Sequence, residues 1–145
     1  EAIDARLRPG GRAAIQAITM PHDRMMASRN TWTWITKYIF PGGFIPSTEL
    51  IEQVAGEHTE LRVVERFRMG AHYEQTLRLW AEQFEAQWPQ IRELHTRRPA
   101  QRDVDETFRR MWRFYLSYCE AGFETGDIDV HHYVFAHAGG GVGAR

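Results

Sequence analysis

The sequence predicts an α/β protein, and three observations carry that reading. Segments rich in β-branched residues at 12–20, 61–67 and 128–136 are separated by stretches of helical periodicity. The first of them, Arg12-Ala-Ala-Ile-Gln-Ala-Ile-Thr-Met20, is apolar on both faces, the pattern of a buried strand with neighbours on either side. Three strands make a poor independent sheet, so the chain is expected to belong to a larger one.

Taken in order, residues 1–8 read as the end of a helix. Arg8-Pro-Gly-Gly11 is a turn, because Pro sets φ and Gly permits positive φ. The 12–20 strand follows. Residues 21–33 are polar, with two Met and two Arg, and read as a mobile helix or loop. Ser47 is the expected N-cap of a helix with Leu50, Ile51 and Val54 on one face. Leu61 to Phe67 is the second strand. Residues 72–88 form an amphipathic helix with Tyr73, Leu77, Trp80, Phe84 and Trp88 on one stripe, weakened at Pro89. His95 to Asp103 reads as a basic loop. Residues 104–124 carry the strongest helical pattern, through Val104, Phe108, Met111, Trp112, Tyr115, Leu116, Cys119 and Phe123. Gly126-Asp127 is a turn before the last strand, and residues 138–145 are a Gly-rich, flexible tail.

The bulk numbers narrow the function. At 145 residues one domain is the default, and 43% hydrophobic residues exclude disorder as the main state. A net charge of −1 gives no electrostatic case for nucleic acid. No apolar run approaches the roughly 20 residues that span a bilayer. The single cysteine, Cys119, excludes an intramolecular disulfide and fits a reducing compartment. The chain begins at Glu1 with no signal-peptide pattern, and reads as a truncated or processed chain.

Five stretches stand out: Leu7-Arg-Pro-Gly-Gly11; Gln16-Ala-Ile-Thr19; Trp34-Ile-Thr-Lys-Tyr-Ile-Phe-Pro-Gly-Gly-Phe-Ile-Pro46; Gly70-Ala-His-Tyr73 with Thr76-Leu-Arg-Leu-Trp80; and Phe108 to Phe123. In this order and spacing, over about Ile3 to Ala136, the chain resembles the cyclopropane-fatty-acid and mycolic acid cyclopropane synthases, a family of S-adenosylmethionine-dependent methyltransferases. The resemblance implies the C-terminal part of a class I, Rossmann-like methyltransferase fold. Residues 1–137 would supply strands five to seven and the helical insert that covers the acyl substrate. It also implies that the donor site lies mainly in an N-terminal half outside this chain. Pro9-Gly-Gly11, Gly42-Gly43 and Gly139 to Gly143 do not sit between a strand and a helix as a nucleotide-binding turn requires, so no cofactor-binding residue is expected here.

Family chemistry moves a methyl group to the cis double bond of an acyl chain. A carbocation develops, which an apolar, aromatic-lined site protects from water. A base then removes a proton. The resemblance places a bound bicarbonate in that role, held by Tyr73, by the backbone at Ile18 and by a histidine whose position is taken here by Gln16. An amide both donates and accepts hydrogen bonds but does not titrate near neutral pH. A changed orientation of the anion would alter which proton leaves. Loss from the transferred methyl closes a cyclopropane; otherwise a methyl- or methylene-branched chain results. Tyr38, Phe40, Tyr115 and Cys119 are the expected lining of the acyl site.

Plainer readings stand beside these. Tyr73, Tyr115 and Cys119 could be ordinary core, and Gln16 could bond a neighbouring backbone group. His72 reads as structural. His131, His132 and His137 suggest a metal, but adjacent strand residues point to opposite faces, so none is expected. Arg97, Arg98, Arg102, Arg109, Arg110 and Arg113 form a basic cluster, either paired with Asp103, Asp105 and Glu106 or touching phosphate headgroups. The expected partners are an unsaturated acyl phospholipid or fatty acyl chain, the N-terminal half of the enzyme and, in an oligomer, a second copy. The expected location is the cytoplasm, at the inner membrane surface. The alternatives are a small-molecule N-methyltransferase of the wider family, which shares the Trp-Ile-Thr and His-Tyr features, and an inactive lipid-binding fragment.

Overall fold

A computed structural model of the chain describes residues 1–97 and 104–138. Three strands, β1 (Arg12–Thr19), β2 (Leu61–Arg68) and β3 (Asp129–His137), lie in the order β1-β3-β2. The C-terminal strand is inserted between the other two and runs antiparallel to both. Gln16 stands opposite His132, Ile18 opposite Val130, and Phe67 opposite His132 from the other side. A register irregularity at Val63/Glu65 shifts the pairing of β2.

The helices are α1 (His22–Ser28), α2 (Trp34–Tyr38), α3 (Thr48–His58), α4 (Gly70–Ala86), α5 (Trp88–Arg97) and α6 (Glu106–Glu124). Two apolar clusters divide them between the sheet faces. On one face, Leu61, Tyr133 and Phe135 pack with Leu7, Ala17, Ile51 and Ala55, so α3 closes that side. On the other, Val130 packs with Leu77, Leu116 and Phe123 of the α4–α6 pair. Tyr133 and Val130 are fully buried, adjacent parities of one strand serving both clusters.

Local chemistry explains the helix starts. Ser47 caps α3 as expected, its side chain accepting from Leu50 N at 3.1 Å. Thr33 and Thr36 form a reciprocal capping box at α2. Asp105 caps α6, which therefore begins at Glu106 and leaves Val104 outside it. Gly126 has φ 73° and makes the expected turn into β3.

Several expectations are corrected. The 12–20 strand is not buried within this chain: Ile15 and Ile18 are 38% and 42% exposed, because β1 is an edge with one paired neighbour. Residues 21–33, read as a helix or loop, do hold a helix, α1, with Met25 buried. Val54 and Trp80 are exposed, since α3 and α4 each bury a stripe narrower than the apolar pattern. The 72–88 helix begins at Gly70 and ends at Ala86. Helix α5 then runs through Pro89 and on to Arg97, because a proline in the first turn removes only an N–H that had no helical partner. His95 to Arg97 are thus helical; the rest of the expected loop, 98–103, and the tail from 139 lie outside the described residues.

Candidate active site

The Phe40-Pro-Gly-Gly turn shows why that sequence is needed. Gly42 has φ 76°, Gly43 N donates to Phe40 O at 2.8 Å, and a Cβ on Gly43 would approach that same oxygen to 2.9 Å. The turn sends Phe40 against Tyr115 of α6, edge to face at 6.0 Å between ring centres. Tyr115 in turn packs on Trp112, and Cys119, one turn along, packs with it against the same cluster. Three of the four predicted lining residues therefore converge. Tyr38 does not join them: it packs on Trp34, which lies edge-on to Phe114, on a neighbouring aromatic surface. Phe40 is 51% exposed and Tyr38 is 44% exposed, so this wall stands open within the described chain. Burial pushes the Cys119 thiol up to about 11, which keeps it protonated and unsuited to nucleophilic work.

The polar part of the site forms at the start of α4. Asp129, from β3, supplies the cap: its Oδ1 accepts from Gly70 N at 2.9 Å and from Val130 N at 2.7 Å, and its other oxygen pairs with Arg68. A Cβ at position 70 would collide with that carboxylate, so the glycine of Gly70-Ala-His-Tyr73 is required by close approach. One turn in, Tyr73 packs on Phe123 at 5.5 Å and points its hydroxyl at β1. Gln16 Nε2 donates to Tyr73 Oη at 2.8 Å, joining the two principal predicted residues across 57 positions of sequence. Ile18 lies two residues along β1, on the same face as Gln16, opposite Val130. His72 makes no comparable contact; its carbonyl accepts from Thr76 Oγ1 within the helix.

The model of the mycolic acid cyclopropane synthetase family matches residues 1–133. The chain belongs to that family. A tuberculostearic acid methyltransferase of Mycobacterium tuberculosis is 48% identical over 138 residues, covering 95% of this chain and 30% of the relative. A cyclopropane-fatty-acyl-phospholipid synthase of Escherichia coli is 33% identical over 134 residues, covering 92% and 31%. The chain thus spans about a third of the length of these curated relatives. A solved cyclopropane synthase of Mycobacterium tuberculosis superposes with TM-score 0.71 at 26% identity, covering 90% of this chain and 45% of that one. The described sheet and helices are accordingly a portion of the α/β methyltransferase fold.

One residue of this candidate site was missed by sequence reasoning. His132 Nε2 lies 2.7 Å from Gln16 Oε1, so the polar contact is a chain of three residues. Its neighbour His131 points to the opposite face and bonds Thr19 Oγ1 at 3.0 Å. Among the described residues no group of three or more His, Cys, Asp or Glu is placed to hold a metal ion. The signal for His132 was available only through register: nothing in the sequence says that β3 pairs beside β1.

The basic cluster resolves partly. Arg109 and Arg113 both engage Glu85 of α4, the latter at 3.2 Å, and Arg109 also reaches Glu106. The Arg109 hydrogen bond holds the Glu85 carboxyl below its usual range. Asp105 serves its own helix cap rather than an arginine. Arg98, Arg102, Asp103 and the side chain of Arg97 lie outside the described residues.

Proposed function

We propose that residues 1–137 form the acceptor side of an S-adenosylmethionine-dependent methyltransferase. Its acceptor is the double bond of an unsaturated acyl chain, in a phospholipid or a fatty acid. The observation that carries this reading is the 2.8 Å contact of Tyr73 with Gln16, set beside the apolar cluster that includes Tyr115, Cys119 and Phe123. An alkene under methylation needs an apolar wall that keeps water from a developing cation, and one polar point where a proton can leave. Phe40, Tyr115 and Trp112 offer the wall, and their π-faces favour positive charge. Tyr73 and Gln16 offer the polar point.

Neither glycine pair of the described residues fits the methyl donor, and the Gly70 N–H that opens α4 after β2 is taken by Asp129. Gly10 and Gly11 precede a strand, Gly42 and Gly43 close a turn between α2 and α3, and neither pair opens a helix after a strand. Donor binding is therefore assigned to other parts of the protein. A bicarbonate ion, if bound, would be held by the Tyr73 hydroxyl, the second N–H of Gln16 and the backbone at Ile18, and would supply the proton acceptor. The name carried by the relative at 48% identity is that of a fatty acid methyltransferase rather than a cyclopropane synthase. It supports a methyl- or methylene-branched product over a ring. With Arg109 and Arg113 occupied by Glu85, peripheral contact with phosphate headgroups falls to Arg110 and to arginines outside the described residues.

The test is to incubate the full-length protein with methyl-labelled S-adenosylmethionine and either unsaturated phospholipid or a secondary amine, then locate the label. Label in the acyl chain is the expected result. Label in the amine and none in lipid would overturn the reading in favour of an N-methyltransferase. Calorimetry on the 145-residue chain should show no binding of S-adenosylmethionine; tight binding there would sink the assignment of the donor site elsewhere.

A further inference from the structure

The proposed function gives Tyr73 and Gln16 a task and leaves His132 without one. His132 sits on β3 directly opposite Gln16, on the same sheet face, with Phe67 of β2 opposite it on the other side and the two rings 6.5 Å apart. The amide of Gln16 is used at both ends: Nε2 toward Tyr73 Oη at 2.8 Å and Oε1 toward His132 Nε2 at 2.7 Å. An amide oxygen only accepts and an amide nitrogen only donates. With the amide in this orientation His132 Nε2 carries a proton, and the Tyr73 oxygen is the acceptor from Gln16. The hydrogen bonds run one way, from His132 to Gln16 to Tyr73, and the Tyr73 proton is left free for a third group. A flipped amide would reverse this and draw that proton back to Gln16.

We infer that His132 is a positioning residue: by holding the Gln16 amide in one orientation it makes the Tyr73 hydroxyl a hydrogen-bond donor to an oxyanion or other acceptor at the site. The inference rests on the proposed methyl transfer to an acyl chain. A histidine one strand away thus does, through the amide, what direct contact from position 16 would otherwise do.

Two measurements on the full-length protein test it. Nitrogen NMR of histidine-labelled protein should show His132 as the Nε2–H tautomer with that proton shifted downfield by a hydrogen bond, and the shift should be lost in Gln16→Ala. An Nδ1–H tautomer in the wild type would overturn the inference. In labelled-methyl assays on unsaturated phospholipid, His132→Phe should lower kcat about tenfold, the loss of one positioning hydrogen bond, with KM changed less than about twofold. His132→Gln, whose amide can restore the N–H, should recover most of the rate. The His132→Phe/Gln16→Ala double variant should be no slower than Gln16→Ala alone, because both act through one amide. Unchanged kcat in His132→Phe, or multiplicative losses in the double variant, would reject it; His132→Thr replaces His132→Phe should the latter not fold. Absence of label in any lipid with the wild type rejects the methyl-transfer reading instead, and the tautomer measurement separates the two failures.

Discussion

His131 and His132 are neighbours in sequence and opposites in circumstance. His131 points into the face closed by α3, is buried, and satisfies its ring nitrogen on Thr19. His132 points to the other face, stands exposed, and reaches Gln16 at the edge of the α4–α6 cluster. The first face is complete: Ser47 is fully buried yet bonded to His22 and Leu50 N, and the Tyr133 hydroxyl pairs with Thr48 at 3.0 Å. The second holds a polar chain that ends at an open hydroxyl. The difference teaches that one strand can bury a histidine on one face and leave its neighbour in an open polar chain on the other, since pleating sends successive side chains to opposite sides.

If that division is right, substitutions on the two faces should separate stability from activity. Tyr133→Ala should cost the most, about 3–5 kcal/mol of unfolding free energy as a large buried side chain is removed, read by chemical denaturation. Activity per folded molecule should hold. Tyr73→Phe should do the reverse, lowering methyl transfer by roughly a hundredfold with little shift in melting temperature. A Tyr73→Phe protein that melts far below the wild type would blur the comparison, because it would make Tyr73 a core residue. Gly70→Ala should affect both, by about 2 kcal/mol in stability and by a fall in kcat, since displacing Asp129 moves the first turn of α4 and Tyr73 with it.

The smallest effect expected is on pH dependence. Burial lowers the pKa of His131 from histidine's ordinary 6.5, so the unfolded chain binds this proton more readily than the folded one. Its contribution to stability is full above that value and is lost as pH falls through it toward the folded pKa. Denaturation curves at pH 7.5 and 5.5 should show that slope, and His131→Gln should flatten it.

Much of the fold was legible because it rests on local rules. Ser47 as an N-cap, Gly126 as a turn and the periodicity of residues 104–124 are decided within a turn or two of chain, and each is where expected. Exposure was less legible. Ile15 and Ile18 belong to a two-sided apolar pattern, but how far such a pattern is buried depends on which strands lie beside it. The site was half legible. Tyr73, Gln16, Phe40, Tyr115 and Cys119 were named from a resemblance carried by motifs; the structure brings Tyr73 to Gln16 and Phe40 to Tyr115. Tyr38 stands apart, packed on Trp34 while Phe40 meets Tyr115, a partition no motif encodes.

The sequence by itself determined the family, the Ser47 cap and the glycine turns, because each is written in contiguous residues, and it named the residue types at the polar point. Only the tertiary structure decided that β3 lies between β1 and β2, that Asp129 caps α4, and that His132 completes the chain to Tyr73. These contacts join positions 57 to 116 residues apart, and strand order and register, not local propensity, bring them within hydrogen-bond reach.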